Sequence, residues 1–425
     1  MWTGQVPVSD YTAGADSVPP FTALAGLHLV AERAELIERA RQLVPTLRGR
    51  RAETTRLRRL PDDTVRDMND AGFGVLTRPR AYGGHEVDSQ TLGAVVAELA
   101  RGCGSTAWVC AIINTVSFIA AAALPEEGWR EIFESGEHAC SPFNMRSGGM
   151  AKRVDGGYLV EVGEWPWASG SQIAGWALPR VMLVDDDGQV RGAMIVAVPR
   201  SDFEILDEWH TTGMRGTASN VVKLTNAFIP EHRAGQFAPL LRGEHLAEVP
   251  GQYRQAFIAN VFLGLGWVGV GLARAAEELV LERARGKPVA FTSYLDLSQT
   301  SRLHVTLGEA HQKTDAAMML LNRAAALLDS WASRGEQPGL RIRLQVRADL
   351  GFAVRLCHEA VQACWQEAGA SSIAEDSAIS RVALDIEPVI LHAANSPTTA
   401  VELFGAVLAG AEPKVMMVGP GLAMA

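Results

Sequence analysis

Residues 163–172 read GEWPWASGSQ and bring together groups able to hold a flat ligand. Trp165 and Trp167 flank Pro166, and the hydroxyls of Ser169 and Ser171 follow at once. Wide aromatic faces beside small hydroxyls suit a planar heterocycle, which wants an apolar wall and a few placed polar groups. The spacing suits a plain strand equally well, because residues two apart share a sheet face. Residues 141–149, SPFNMRSGG, form a loop with small polar side chains. Arg283, in LERARGKP at 281–288, can grip a phosphate with two parallel hydrogen bonds or lie on a solvated helix face. A lone histidine such as His392 is ordinarily structural, although imidazole both donates and accepts near neutral pH. His210, His304, His311 and His358 have no motif around them and read as structural.

Several common chemistries are missing. No GxGxxG follows a predicted strand, and there is no GxxxxGK[ST], HExxH or GxSxG. The glycine-rich GLGWVGVG at 264–271 lies inside an apolar helical run, where close helix packing explains it better than phosphate binding. Five cysteines (103, 110, 140, 357, 364) at unrelated spacings form no CxxC, which points to reduced, buried thiols in a cytoplasmic protein and away from a zinc site. The net charge of −9, with no basic cluster beyond the helical run Arg48 to Arg59, argues against nucleic acid as a partner.

The elements that must position these residues follow from length and periodicity. A chain of 425 residues is too long for one core, so two or three domains are expected. Residues 1–27 read as a loose arm without the features of a secretory signal. Residues 28–139 have helical spacing, with Asp62 or Asp63 starting one helix and Gly72 ending it. Residues 140–249 alternate and turn at Asp155-Gly156-Gly157 and Asp186-Asp187-Gly188, which predicts a β domain. Residues 250–425 return to helices as a bundle. The fold class is therefore α+β, mostly α. Two uncharged runs, Ala107 to Leu124 and Phe257 to Ala273, approach membrane-span length. Their Asn, Ser, Thr and Gly content and unbiased flanks read as helices buried within a large protein or subunit interface, not as membrane spans.

In this order, LPDDTVRDMNDAGFGVLTRPRAYGGHEVD, CGSTAWVC, GGYLVEVGEWPWASG and WHTTGMRGTASNVVKLTNAFIP make the chain, from about residue 30 to 410, resemble the acyl-CoA dehydrogenase superfold. More narrowly, it resembles the oxygenase component of two-component flavin-dependent monooxygenases. The resemblance implies that Trp167 packs near the isoalloxazine and that the Ser169 hydroxyl sits near flavin N5. It implies that Ser141, Phe143 and Asn144 meet the pyrimidine edge, and that Arg283 reaches the cofactor phosphate of a neighbouring subunit. Dehydrogenases of this fold carry a glutamate over the flavin. In SRVALDIEPVILHAANSPTT, Asp385 matches the family aspartate, but His392 stands where the glutamate would be.

The resemblance thus implies hydroxylation of a small or medium aromatic substrate through a flavin C4a-hydroperoxide in a dry site. His392 would orient or deprotonate the substrate and Ser169 would assist. Reduced FMN, with FAD as the alternative, would come from a separate reductase, molecular oxygen would be the co-substrate, and the assembly would be a homotetramer. Trp108 would line the substrate pocket. Where some members carry a histidine this chain reads INTVS, so Asn114 or Ser117 would replace it, and Leu384 stands where an arginine is frequent. The alternatives are a dehydrogenase-type flavoenzyme, an N- or S-oxygenase, and a non-catalytic scaffold.

Overall fold

The computed structural model describes residues 31–142, 148–247, 249 and 251–414. Helices lead: α1 (Ala31–Leu57), α2 (Asp62–Asp70), α3 (Ser89–Gly102), α4 (Gly104–Ala123) and α5 (Glu126–Glu134). The Asp88 carboxylate caps α3 by accepting the Thr91 N–H at 2.8 Å. Strands follow: β1 (His138–Cys140), β2 (Met150–Val154), β3 (Gly157–Ala168), β4 (Ala174–Ala177), β5 (Arg180–Val184), β6 (Val190–Val196), β7 (Val198–Pro199), β8 (Glu204–Leu206), β9 (Asn220–Pro230) and β10 (Ala234–Gln236). The chain then closes with α6 (Phe237–Arg242), α7 (Phe257–Ala284), α8 (Ser301–Arg334), α9 (Leu340–Ala368), α10 (Ala378–Leu391) and α11 (Pro397–Leu408). The expected mostly helical α+β architecture is the one observed.

One sheet runs in the order β10-β6-β5-β2-β3-β9-β8, and a second in the order β1-β4-β7. The β1–β4 and β2–β5 pairs are parallel. The longest ladder joins β3 to β9, from Gly157 opposite Pro230 to Ala168 opposite Asn220, and its register shifts between Trp165 and Ala168. The alternating apolar residues of these strands form their own core, with Trp165, Val160, Val222 and Leu224 fully buried.

The two uncharged runs become α4 and α7, and both are packed inside the molecule. In α4 every side chain except that of Ile112 is buried. Helix α7 is the axle of the helical body, packing on α3, α4, α8, α9 and α10. Its glycines allow that closeness: a Cβ at Gly271 would stand 2.2 Å from the Ala97 carbonyl oxygen of α3.

The β region joins α10 through a second close approach. A Cβ at Gly213 would lie 1.9 Å from the carbonyl oxygen of Leu384. Beside it, the Asp385 carboxylate accepts the Met214 N–H at 2.6 Å. Burial raises the Asp385 carboxyl to about 6, against the opposing pull of the Met214 bond and of Arg51. Gly213→Ala should therefore force the 209–219 segment away from α10 and cost about 1–3 kcal/mol. A lowered unfolding temperature checks this; an unchanged one would mean that the contact is slack.

Candidate active site

A cavity of about 880 Å³ lies between α4, the 209–219 segment, the first turns of α7, one face of α9 and the end of α10. Helix α4 contributes Trp108, Ile112, Thr115, Val116 and Ile119, the single face expected at helical spacing. Asn114 and Ser117 are not on that face. A helix turns about 100° per residue, which puts Ser117 roughly 180° and Asn114 roughly 240° around from Trp108. The Asn114 amide donates to the Phe73 and Cys110 carbonyls at 2.8 and 2.9 Å and accepts the Thr77 N–H at 3.1 Å. It ties the 73–77 segment to α4. Ser117 Oγ bonds back to the Ile113 carbonyl at 3.3 Å. The substrate contacts expected of these two residues do not fit their positions, and Thr115 is the polar residue that α4 presents to the cavity.

The tryptophan pair is split by the bulge in β3. Trp165 is fully buried and donates Nε1–H to the Arg180 carbonyl at 2.8 Å. Strand alternation alone would bury Trp167 beside it. Instead Trp167 has φ +67° and is 63 % exposed, with its side chain on the cavity wall. The bulge is held by the Gly170 N–H, which bonds the Thr217 carbonyl at 2.8 Å. A left-handed conformation is unfavourable for a bulky residue, and such strain concentrates where a side chain must be aimed.

Behind Trp167 lies a chain of hydroxyls. Trp108 Nε1–H donates to Ser169 Oγ at 3.0 Å; Ser169 and Ser219 are 2.7 Å apart, as are Ser219 and Thr217; and Thr217 donates to the Met214 carbonyl at 2.9 Å. Each hydroxyl has one proton. With the Thr217 proton on a carbonyl, Ser219 must donate to Thr217 and Ser169 to Ser219. Ser169 therefore offers the cavity a lone pair, not a proton. Ser141, also on the wall, spends its proton on the Leu178 carbonyl at 2.8 Å.

His392 ends α10 and lines the cavity. Its ring lies 5.7 Å from that of Trp108 and 5.8 Å from that of Phe262, centroid to centroid. Desolvation pushes its imidazole down to about 4, so it is neutral at physiological pH. The Ala394 N–H donates to Nδ1 at 3.3 Å, which leaves Nε2 to carry the proton.

The structure thus gathers Trp108, Ser141, Trp167, Ser169 and His392 around one space. Phe143 and Asn144 lie outside the described residues. Arg283 is not on the cavity wall: it donates to the Ser371 hydroxyl and the Ala368 carbonyl at 2.5 and 3.3 Å, beside Lys287, which reaches the same carbonyl. Sequence reasoning passed over Trp209, Phe262, Glu387, Arg343 and Arg347, all on the wall. The helical phase of α7 and α9 was the signal available for Phe262 and the arginines. Among the described residues there is no cluster of three or more His, Cys, Asp or Glu able to hold a metal. All five cysteines are free and buried.

Because Trp167 is strained and largely exposed, Trp167→Gly should hold or raise the unfolding temperature despite deleting a large aromatic side chain. A clear fall would show that the indole is structural.

Residues 31–132 match the acyl-CoA dehydrogenase N-terminal domain, and residues 263–397 the acyl-CoA dehydrogenase C-terminal domain. The chain is 28% identical over 378 residues to the flavin-dependent monooxygenase oxygenase subunit HsaA of Rhodococcus jostii (strain RHA1), covering 87% of this chain and 97% of that one. It is 26% identical over 393 residues to the oxygenase component of p-hydroxyphenylacetate 3-hydroxylase of Acinetobacter baumannii, covering 90% and 91%. Among solved structures, XiaF from Streptomyces sp., in complex with FADH2 and glycerol, superposes with a TM-score of 0.84 at 32% identity, covering 93% of this chain and 98% of that one. Fold, cavity and relatives agree: the chain belongs to the oxygenase components of flavin-dependent monooxygenases built on the acyl-CoA dehydrogenase fold.

Proposed function

We propose that this oxygenase hydroxylates a phenol-type substrate held by His392, using reduced FMN, with FAD as the alternative, delivered by a separate reductase. The observation that carries the reading is a neutral imidazole, its proton on Nε2, in the wall of a largely apolar cavity that also presents Trp167 and an acceptor oxygen on Ser169. These residues fit a flavin. Trp167 would be the flat wall, and Ser141 and Ser169 would meet polar ring edges. Reduced flavin carries an N–H at N5 where oxidised flavin has an acceptor, so a lone pair at Ser169 suits the reduced form. When bound, reduced flavin supplies the electrons for splitting dioxygen and transfers one oxygen atom.

The protein's own part is positional. The apolar wall, Ile112, Val116, Ile119, Phe262 and Leu265 among it, excludes water from the reacting atoms. His392 donates Nε2–H to the substrate hydroxyl oxygen and stabilises its phenolate character. With a depressed pKa and Nδ1 already bonded, it acts as an orienting donor and not as the base. Among the described residues the dehydrogenase alternative has one candidate carboxylate, Glu387, on the cavity wall. Its Oε1 is held by His358 at 2.9 Å and Gln362 at 2.8 Å, which ties it to α9.

Assembly as a homotetramer is part of the proposal. Val305 and Met319 on α8 and Phe352 on α9 leave large apolar side chains exposed, as a subunit interface would use. Arg283 and Lys287 would then serve the cofactor phosphate of a neighbouring copy. The reduced, buried cysteines support a cytoplasmic setting.

His392→Ala should cut phenol hydroxylation at least tenfold while reduced flavin is still consumed by oxygen and peroxide is released instead. Unchanged product yield would remove His392 from the mechanism. Trp167→Gly should weaken reduced flavin binding at least tenfold in anaerobic titration; unchanged affinity would remove Trp167 from the flavin site. Bleaching of bound FAD by an acyl-CoA under anaerobic conditions would favour the dehydrogenase.

The depressed His392 pKa also fixes a sign. The unfolded chain takes up the proton near pH 6.5 and the folded one only near 4, so this contribution to stability is complete above about 6.5 and is lost as pH falls from there towards 4. Acidification from pH 7 to 4.5 should destabilise the wild type more than His392→Gln, by at most about 3 kcal/mol in denaturant unfolding. Equal losses would contradict the assignment.

A further inference from the structure

Helix α9 presents Arg343, Val346, Arg347 and Leu350 to the cavity. The two arginines are one helical turn apart and lie on the same face. Both are half-buried. Among the described residues neither guanidinium has a hydrogen bond or an ion pair, and Arg343 Nε is buried with no partner. Gln337 lines the same wall, and its Oε1 is likewise buried without a partner.

This placement is unfavourable three times over. Like charges at i and i+4 repel. Cations near a helix N-terminus oppose the helix dipole, and Arg343 is the fourth residue of α9. Removing charge from water without a counter-ion costs further free energy. Burial accordingly lowers the Arg343 guanidinium to about 10 and also lowers Arg347, with no acidic neighbour raising either. Among the described residues the one carboxylate lining the cavity, Glu387, is committed to His358 and Gln362. His358 stands eleven residues beyond Arg347, about 16 Å along the helix. A bound anion would relieve all three penalties at once, and paired guanidiniums grip a carboxylate with short, charge-assisted bonds.

We propose that Arg343 and Arg347 form an anion subsite of the cavity, and that the aromatic substrate carries a carboxylate which they bind while His392 holds its hydroxyl. This rests on the phenol-hydroxylase reading above and names the substrate class for it. The oxygenase of a two-component system must then receive an aromatic acid from a step that leaves the carboxylate in place.

The test uses the full chain and two matched probes, 6-hydroxy-2-naphthoate and its carboxamide, titrated by quenching of tryptophan fluorescence. The carboxylate should bind at least tenfold more tightly than the amide, and added salt should erode the difference. In Arg343→Gln/Arg347→Gln the preference should vanish, while amide affinity holds and the unfolding temperature holds or rises. Arg343→Lys/Arg347→Lys, which keeps the charges, should retain part of it.

A wild type with no preference for the carboxylate overturns the proposal, as does a preference that survives the double glutamine variant. So does loss in that variant of discrimination between FMN and riboflavin, which would give the arginines to the flavin phosphate. None of these readings needs turnover. Failure of hydroxylation would leave the carboxylate preference standing, and failure of the subsite would leave hydroxylation of neutral phenols intact.

Discussion

The burial of α7 on every side is the constraint from which the rest of the structure follows. A helix that must touch α3, α4, α8, α9 and α10 can carry almost no charge over its first five turns and needs glycine where another backbone crosses it. Once α7 is fixed, its opening turns become the cavity's apolar wall, and the neighbouring helices are held at set distances from it. The reacting space is the part of this interface that side chains do not fill. Its walls are largely apolar, and polar groups set among them feel a medium in which each hydrogen bond and each charge counts for more than in water.

That setting explains why a few polar groups carry so much of the site's character. The Trp108–Ser169–Ser219–Thr217 chain gives each donor one acceptor and ends on a carbonyl, so its direction is set at the Thr217 end. His392 is treated similarly: one ring nitrogen is occupied by a backbone N–H, and burial keeps the ring uncharged. Only the α9 wall breaks this economy, leaving two guanidiniums without partners among the described residues.

Much of the architecture was legible in the sequence because periodicity is a local property. The change from helical spacing to alternation and back marked the β region, and the two uncharged runs are the innermost helices. The cavity lining was legible only where residue type and motif agreed, as at Ser169 and His392. Asn114 and Ser117 were misplaced because polarity was weighed without helical phase, which points both away from Trp108. The fates of Trp165 and Trp167 depend on a bulge set by pairing with β9, some fifty residues away, which no local pattern encodes. Arg343 and Arg347 looked like any amphipathic helix surface. What distinguishes them is the lack of a counter-charge, a property of three-dimensional neighbours.

Pro388 lies inside α10 and has no N–H to give the Leu384 carbonyl, the acceptor one turn back. That same carbonyl is the group against which Gly213 packs. A proline in a helix and a glycine in the β region thus serve a single junction: one relaxes the helix at that oxygen, and the other admits it. The two positions should be inherited as a pair. An ordinary residue at 388 would give the Leu384 carbonyl a partner within α10, shifting the oxygen that residue 213 meets and re-aiming the chain end that bears His392.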